Sequence, residues 1–130
     1  MASKTIKGYV GWLLPQTERD VLLSLFPARF SRLIAHHCTW KFGVSADEPL
    51  PLSRWGCIVG ESVDPDGVQA LVLSMNGGET RPDGNPLHIT WSLADHRKPV
   101  QSNKVIKEFG VRDVEPVMVQ LVPKFFPMQG

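Results

Sequence analysis

The stretch that decides the fold is LHITWSL at residues 87–93, because an earlier stretch, IAHHCTWKFGV at residues 34–44, carries the same motif. The shared motif is a histidine, an apolar residue, a threonine and a tryptophan, and it occupies residues 37–40 and 88–91. Polar and apolar side chains alternate in both stretches, which is typical of β-strands. The sequence therefore predicts two similar strands, far apart in the chain, with one motif each.

The four polar residues of the two motifs are His37, Thr39, His88 and Thr90. Residues i and i+2 of a strand project from the same face of a sheet, so each histidine shares a face with its own threonine. The other two residues of each motif point the opposite way, toward packed helices. If the two strands lie side by side near a pseudo-twofold axis, both histidines and both threonines face one cleft.

Proline and glycine residues divide the rest of the chain into short elements. A hairpin is the clearest of these, because two apolar runs flank the turn DPDG at residues 64–67. Thr17 is a predicted N-cap of the first helix, and Ser102 or Asn103 of the second. The predicted elements, in chain order, are a strand at 5–14, a helix at 17–26, strands at 34–44, 55–63, 68–75 and 87–93, a helix at 103–110 and a strand at 115–122. This order is a mixed α+β layout.

Composition places the chain among single-domain globular proteins. Its 130 residues suit one domain that spans residues 1–130. A hydrophobic fraction of 42% and a charged fraction of 21% are ordinary for such a protein. The net charge of +1 excludes a strong global field that would attract nucleic acid or membranes, so any nucleic-acid contact must be a local site.

Cysteine usage and the N-terminal stretch indicate a reducing compartment. The chain has two cysteines, Cys38 and Cys57, each inside an apolar run, and we expect two free thiols. No apolar run approaches the ~20 residues of a membrane span, and MASKTIKGYVGWLLP lacks the pattern of a cleaved signal peptide. We therefore expect a cytoplasmic protein with no membrane partner and no obligate protein partner.

Two histidines that flank a cleft are suited to phosphodiester cleavage. Breaking a P–O bond requires that a proton leave the attacking water or hydroxyl and that a proton reach the leaving oxygen. An unperturbed histidine pKa of about 6.5 lets one residue act as the base and its twin as the acid near neutral pH. The threonine hydroxyls would hold the non-bridging oxygens, where charge develops. We expect a bell-shaped pH–rate profile and no cofactor.

A metal site is the alternative use of the histidines, and their spacing argues against it. His36 and His37 are adjacent, so within a strand they point to opposite faces. His88 and His96 lack the i, i+4 spacing of helical ligands, and no cysteine or carboxylate cluster completes a tetrahedral set. We therefore expect a metal-free site, with His36 facing away from the cleft.

In its motifs the chain resembles the 2H phosphoesterase superfamily, which is named for two His-x-Thr motifs. The residues that carry the resemblance are HCTW at 37–40, LHITWSL at 87–93 and KPVQSN at 98–103. The second motif and the residues after it are most similar to the cyclic phosphodiesterases of tRNA ligases and related RNA-repair proteins. The resemblance implies a bilobal fold, in which two antiparallel β-sheet lobes with flanking short helices meet along a pseudo-twofold cleft.

The resemblance also implies an activity, the metal-independent hydrolysis of cyclic nucleotides, 2′,3′-cyclic phosphates or other small RNA-end phosphodiesters. Carried over by position, His37 and His88 become the acid–base pair, and Thr39 and Thr90 the phosphate holders. The chain is shorter than most members of the superfamily. Compact members occur in bacteriophages, where some degrade the cyclic oligonucleotide messengers of bacterial antiviral defence, and this alternative stays open. So does a non-catalytic cleft that only binds a nucleotide or RNA.

Three further residues are candidates for substrate binding. Tyr9 and Trp12 lie in the first predicted strand, which borders the cleft in such a fold, and either could stack on a base. Core packing is the alternative for both and is favoured for Trp12. Lys98 could meet a phosphate or a base edge, or be a solvated loop lysine. Arg81 lies in the loop at 76–86, which could close over substrate or be a plain connector.

Overall fold

The computed structural model describes residues 7–75 and 78–128, which form eight strands and two helices. In chain order these are β1 (Lys7–Leu13), α1 (Gln16–Leu25), β2 (Arg32–Leu33), β3 (His37–Ser45), β4 (Trp55–Asp64), β5 (Val68–Ser74), β6 (His88–Leu93), α2 (Gln101–Phe109), β7 (Arg112–Gln120) and β8 (Val122–Pro127). All strand pairs are antiparallel. The chain therefore has the α+β layout that its sequence predicts, with two more strands than expected.

The sheet is curled, and the continuous segment β7–β8 borders both of its edges. The strand order is β7-β4-β5-β6-β3-β1-β8, with the short β2 paired to β6. β7 and β8 lie at opposite ends of this order, yet only Leu121 separates them in the chain. The two edges must therefore approach each other at Leu121, whose N–H donates to the carbonyl of Arg54 at 2.8 Å.

The sheet is weakly paired at its middle, between β3 and β6. β3 and β6 pair only through Cys38 and Ile89, whereas β3 pairs with β1 over seven residues and β6 pairs with β5 over five. The backbone N–H groups of Ile34 and Ala35, just before β3, also donate to β6, at Trp91 and Thr90. Side-chain packing adds to this, because the largest fully buried residues, Trp12 and Trp91, belong to one continuous core. That core lies on the face of the sheet that α1 covers with Leu22.

The second helix packs on the opposite face of the sheet. Val105 of α2 contacts Val68 and Leu93, while Ile106 contacts Ala70 and Val72. Such apolar contacts position a short helix that has little stability of its own. Neither described helix is long and apolar enough to cross a membrane.

The helix starts differ from the sequence prediction. α1 begins after Pro15 and not at a Thr17 cap, since a proline with fixed φ is tolerated at a helix start. The N-cap of α2 is Val100, without a side-chain cap, so Ser102 and Asn103 lie inside its first turn. The hydroxyl of Ser102 forms a hydrogen bond with the hydroxyl of Thr90 instead.

The two unpredicted strands are missed for identifiable reasons. β2 has two residues, which is too short for any periodicity. β8 reads VPKFFP, and its prolines argue against a strand in the sheet interior. β8 is an edge strand, where a missing N–H on the outer side costs nothing. The first two residues of the predicted strand at 5–14, and residues 76 and 77 of the predicted loop at 76–86, lie outside the described residues.

Candidate active site

The pairing of β3 with β6 sets the relation between the two motifs. Cys38 and Ile89, the second residues of the motifs, lie opposite each other and are fully buried on the core face. Because side chains alternate along a strand, the histidine and threonine of each motif point to the other face. Because the strands are antiparallel, each histidine lies beside the threonine of the other motif. The two motifs are thus related by a local twofold axis at this pair.

These four side chains face one cleft of about 300 Å³. Its lining residues are Tyr9, Ile34, His37, Thr39, Phe42, His88, Thr90, Pro99, Val100 and Asn103. The volume is at the lower end of the range for small-molecule sites. The structure thus brings together the four motif residues and Tyr9, which the sequence singled out.

A backbone carbonyl determines the tautomer of His88. The Nδ1 atom of His88 lies 2.9 Å from the carbonyl oxygen of Pro86. A carbonyl oxygen only accepts hydrogen bonds, so Nδ1 carries the proton and Nε2 of the neutral ring keeps a lone pair. Burial lowers the pKa of His88, against the opposing effect of the Pro86 bond, and the charge of Arg81 lowers it further. His88 therefore presents a neutral, basic nitrogen near pH 7.

His37 is enclosed by aromatic rings, which disfavour the protonated, charged form of its ring. Its ring centroid lies 5.2 Å from that of Tyr9 and 5.1 Å from that of Phe126. Burial lowers the pKa of His37 to about 4, and repulsion from His36 and His88 adds to the effect. Both cleft histidines are consequently neutral at pH 7 when no anion is bound.

His36 contacts His37, contrary to the expectation that the two rings point apart. β3 begins only at His37, and Ala35 has a left-handed φ of 42°, so the chain is not an extended strand at this point. The Nδ1 atoms of the two rings lie 3.0 Å apart, and the ring planes cross at 80°. His36 is exposed and does not line the cleft, but it touches a residue that does.

The hydroxyl of Thr90 is held by the first turn of α2. Thr90 Oγ1 lies 2.8 Å from Oγ of Ser102 and 3.3 Å from the carbonyl oxygen of Pro99. Ser102 is fully buried. When Ser102 donates to Thr90, the hydrogen of Thr90 can go either to Pro99 or to an oxygen in the cleft. Ser102 is therefore a supporting residue of the site, which the cap interpretation missed.

An aromatic stack forms one wall of the cleft. The ring of Tyr9 lies nearly parallel to Phe42 and Phe126, with centroid distances of 5.7 and 5.0 Å. Phe42 is 62% exposed and ends the stack at the solvent side. Strict alternation from Thr39 would turn Phe42 away. A β-bulge in β3 returns Phe42 to the cleft face. Val10 pairs with Lys41, and the next residue, Gly11, pairs with Thr39, so one residue of β3 is skipped in the register.

Trp12 does not contact the cleft, which corrects its prediction as a substrate-binding residue. It pairs with Cys38 and so lies on the core face, where it is 1% exposed. Its indole Nε1 donates to the carbonyl of Ser53 at 2.8 Å, and its ring packs edge-on against Trp40. The alternation that turns Tyr9 toward the cleft turns Trp12, three residues later, toward the core.

Lys98 and Arg81 lie near the cleft without lining it. Lys98 is exposed, and its backbone N–H donates to Gln101 at 2.7 Å, next to the lining residue Pro99. Arg81 forms an ion pair with Asp83, and its charge acts on His88. The contact of Lys98 with a substrate stays a prediction.

A larger cavity of about 570 Å³ lies on the α1 side of the sheet. Glu61, 3% exposed, accepts hydrogen bonds there from Arg29, Arg112 and Gln69. These bonds lower the pKa of Glu61 to about 2, although burial alone would raise it. Gln69 also accepts from the backbone N–H of Arg29 at 3.0 Å, so the network ties the chain after α1 to the sheet. We assign this cavity a structural role.

The cleft therefore combines two neutral imidazoles, two hydroxyls and an aromatic wall. Among the described residues, no group of three histidine, cysteine, aspartate or glutamate side chains is arranged to hold a metal. Comparisons with protein-family models, with curated proteins and with solved structures found no match to this chain.

Proposed function

We propose that this protein is a phosphodiesterase of the 2H type, which hydrolyses a cyclic nucleotide or an RNA-end 2′,3′-cyclic phosphate without a metal. The observation that supports this most strongly is the Cys38–Ile89 pairing, because it sets each motif histidine beside the threonine of the other motif. In this proposal, β8-β1-β3 and β6-β5-β4-β7 are the two lobes, and their junction is the floor of the active site.

The proposed reaction uses His88 as the base. Its Nε2 lone pair takes a proton from water, the water oxygen attacks phosphorus, and the P–O bond to the leaving oxygen breaks. The leaving oxygen receives a proton from Nε2 of His37. Thr39 and Thr90 donate hydrogen bonds to the non-bridging oxygens, which stabilises the charge that develops there. A bound phosphate anion raises the pKa of both histidines, so a proton enters with the substrate.

The aromatic wall supports a substrate that carries a base. Phe42 presents a free ring face at the end of a stack that Tyr9 and Phe126 hold in place. Stacking on an aromatic ring is worth about 1–3 kcal/mol per base and tolerates any base. Val100, 72% exposed, also lines the cleft and offers an apolar contact.

The experiment that tests the function is hydrolysis in excess EDTA. We expect turnover to persist with at least one member of a panel that contains 2′,3′-cyclic mononucleotides, RNA with a 2′,3′-cyclic end, and cyclic di- and oligonucleotides. The panel member that reacts best distinguishes RNA-end processing from messenger degradation. Binding to panel members without any product would contradict the proposal and support a nucleotide-binding module.

Phe42→Ala is expected to raise KM by about tenfold with little change in kcat, since the ring contacts the base and not the reacting phosphate. Steady-state kinetics on the preferred substrate measures both constants. Phe109→Ala is the matched control, because Phe109 is also exposed (51%) but does not line the cleft. An unchanged KM in Phe42→Ala would remove Phe42 from the site.

The pH dependence of kcat/KM follows from the lowered histidine pKa values. Catalysis requires a neutral base, His88, and one positive charge on the acid side of the cleft, and the pKa values of His37 and His88 both lie below 6.5 in the free protein. The form of the protein that carries one such proton is most abundant at pH values between these two pKa values. We therefore expect an optimum below pH 6.5 and a fall of about tenfold per pH unit above it. An optimum above pH 7 would contradict this assignment.

A further inference from the structure

His36 and His37 share a hydrogen between their Nδ1 atoms. At 3.0 Å two lone pairs would repel, so one of the two nitrogens must carry a proton and donate it to the other. His88 differs, because its Nδ1 faces a carbonyl oxygen that can only accept. One cleft histidine is thus locked in a single tautomer, and the other is paired with a group that can either donate or accept.

The two rings of the pair differ in their exposure to water. His36 is exposed and packs on Phe126, with ring centroids 5.8 Å apart. The charged groups that act on it are Lys124 of β8 and Arg19 of α1. His37 is enclosed, with Tyr9 beside it. Water can therefore stabilise a positive charge on His36 far better than on His37.

We propose that His36 and His37 form a proton-relay pair, in which His36 holds the positive charge and His37 passes a proton into the cleft. This inference rests on the proposed function and names the source of the acid proton. His36 is a positioning residue, since it does not touch the substrate.

The relay transfers two protons in one step. Before the step, His36 is protonated on both nitrogens and donates from Nδ1 to Nδ1 of His37, which carries its own hydrogen on Nε2. In the step, Nε2 of His37 gives its proton to the leaving oxygen as the P–O bond breaks, and Nδ1 of His37 takes the proton of His36. Afterwards both rings are neutral, His37 donates from Nδ1 to His36, and the leaving group is a hydroxyl.

The relay explains how a half-buried histidine with a strongly lowered pKa can act as an acid. Burial lowers the pKa of His37 to about 4, so at pH 7 its own cation is about a thousandfold rarer than the neutral ring. The pKa of His36 is also lowered, by burial and by Lys124 and Arg19, but His36 remains the more exposed ring. A positive charge on His36 therefore costs less desolvation than a charge on His37.

Nitrogen NMR of protein labelled with ¹⁵N-histidine tests the relay without any substrate. As pH falls from 8 to 5, we expect His36 to become protonated on both nitrogens. Once His36 is charged, Nδ1 of His37 should be an unprotonated acceptor and its Nε2 should be protonated, while His88 keeps its proton on Nδ1 at every pH. Resonances are assigned with single histidine-to-asparagine variants. Protonation of His37 before His36, or independent titration of the two rings, would overturn the relay.

A kinetic test compares the pH profile of kcat/KM in the variants His36→Asn and His96→Asn. Asparagine at 36 can still bond Nδ1 of His37 but cannot hold a proton, so we expect kcat/KM at pH 7 to fall roughly tenfold and the descending limb of the profile to move toward acid. His96 is exposed, bonds Asp66 and does not line the cleft, so its variant should match the wild type. An unchanged profile in His36→Asn also overturns the relay. If no panel substrate reacts, the proposed function is contradicted. The NMR titration alone then tests whether His36 and His37 form the relay pair.

Discussion

We expect His37→Asn and His88→Asn each to lower kcat by about 10²–10⁴-fold, the usual contribution of one general acid or base. Asparagine keeps a polar group near the position of Nδ1, so bonds to His36 or Pro86 can persist. It has no nitrogen at the position of Nε2, which is the atom that transfers the proton in the proposed reaction. Single-turnover rates on the preferred panel substrate in EDTA measure the loss.

Three further measurements test the same prediction. The double variant should be little worse than the poorer single variant, because the proposed reaction uses acid and base in one step. Circular dichroism and thermal melts should match the wild type, since both histidines are only half-buried. His96→Asn should retain full activity. If either cleft variant kept kcat within twofold of the wild type, the two-histidine mechanism would be wrong.

Gly11→Ala is expected to destabilise the fold by about 3 kcal/mol and to disturb the first motif. A Cβ at this position would overlap the carbonyl oxygen of Cys38 and lie 3.0 Å from Cα of Thr39. Both are backbone atoms of β3, which cannot swing aside as a side-chain tip can. β1 and β3 would have to separate beside the two motif residues that face the cleft.

Chemical denaturation and kinetics together test this second prediction. A displacement of about 1 Å at a reacting group can cost about 10²-fold in rate, so if the proposed function holds, the residual folded protein should also have a lower kcat. Gly78→Ala is the control, because Gly78 is exposed and a Cβ there would come no closer than 3.6 Å to the carbonyl oxygen of Met75. Wild-type stability in Gly11→Ala would mean that the two strands are further apart than described.

Local sequence rules predicted the parts of the fold that depend on near neighbours in the chain. The hairpin of β4 and β5 lies where the apolar runs and the turn at 64–67 indicate. The strands that carry the two motifs were also predicted, with β6 spanning His88–Leu93. The predicted burial of the second motif residues is confirmed for Cys38 and Ile89. Side-chain alternation and turn preferences act over a few residues, so a single sequence reveals them.

Features that depend on irregular backbone or on strand position were missed. β8 contains Pro123 and Pro127, which are compatible with a strand only because the fold puts it at an edge. Phe42 enters the cleft through a bulge that shifts the register between β1 and β3. Ser102 bonds Thr90 and does not cap the helix. Each outcome depends on a partner strand or helix that is remote in the chain.

By itself, the sequence determined that two strands each place a histidine and a threonine on one face, because alternation is a property of any extended chain. Only the tertiary structure decided which histidine lies beside which threonine, since this depends on the register of Cys38 against Ile89. It also decided that His36 contacts His37, because the left-handed turn at Ala35 ends the extended geometry from which the opposite orientation was predicted.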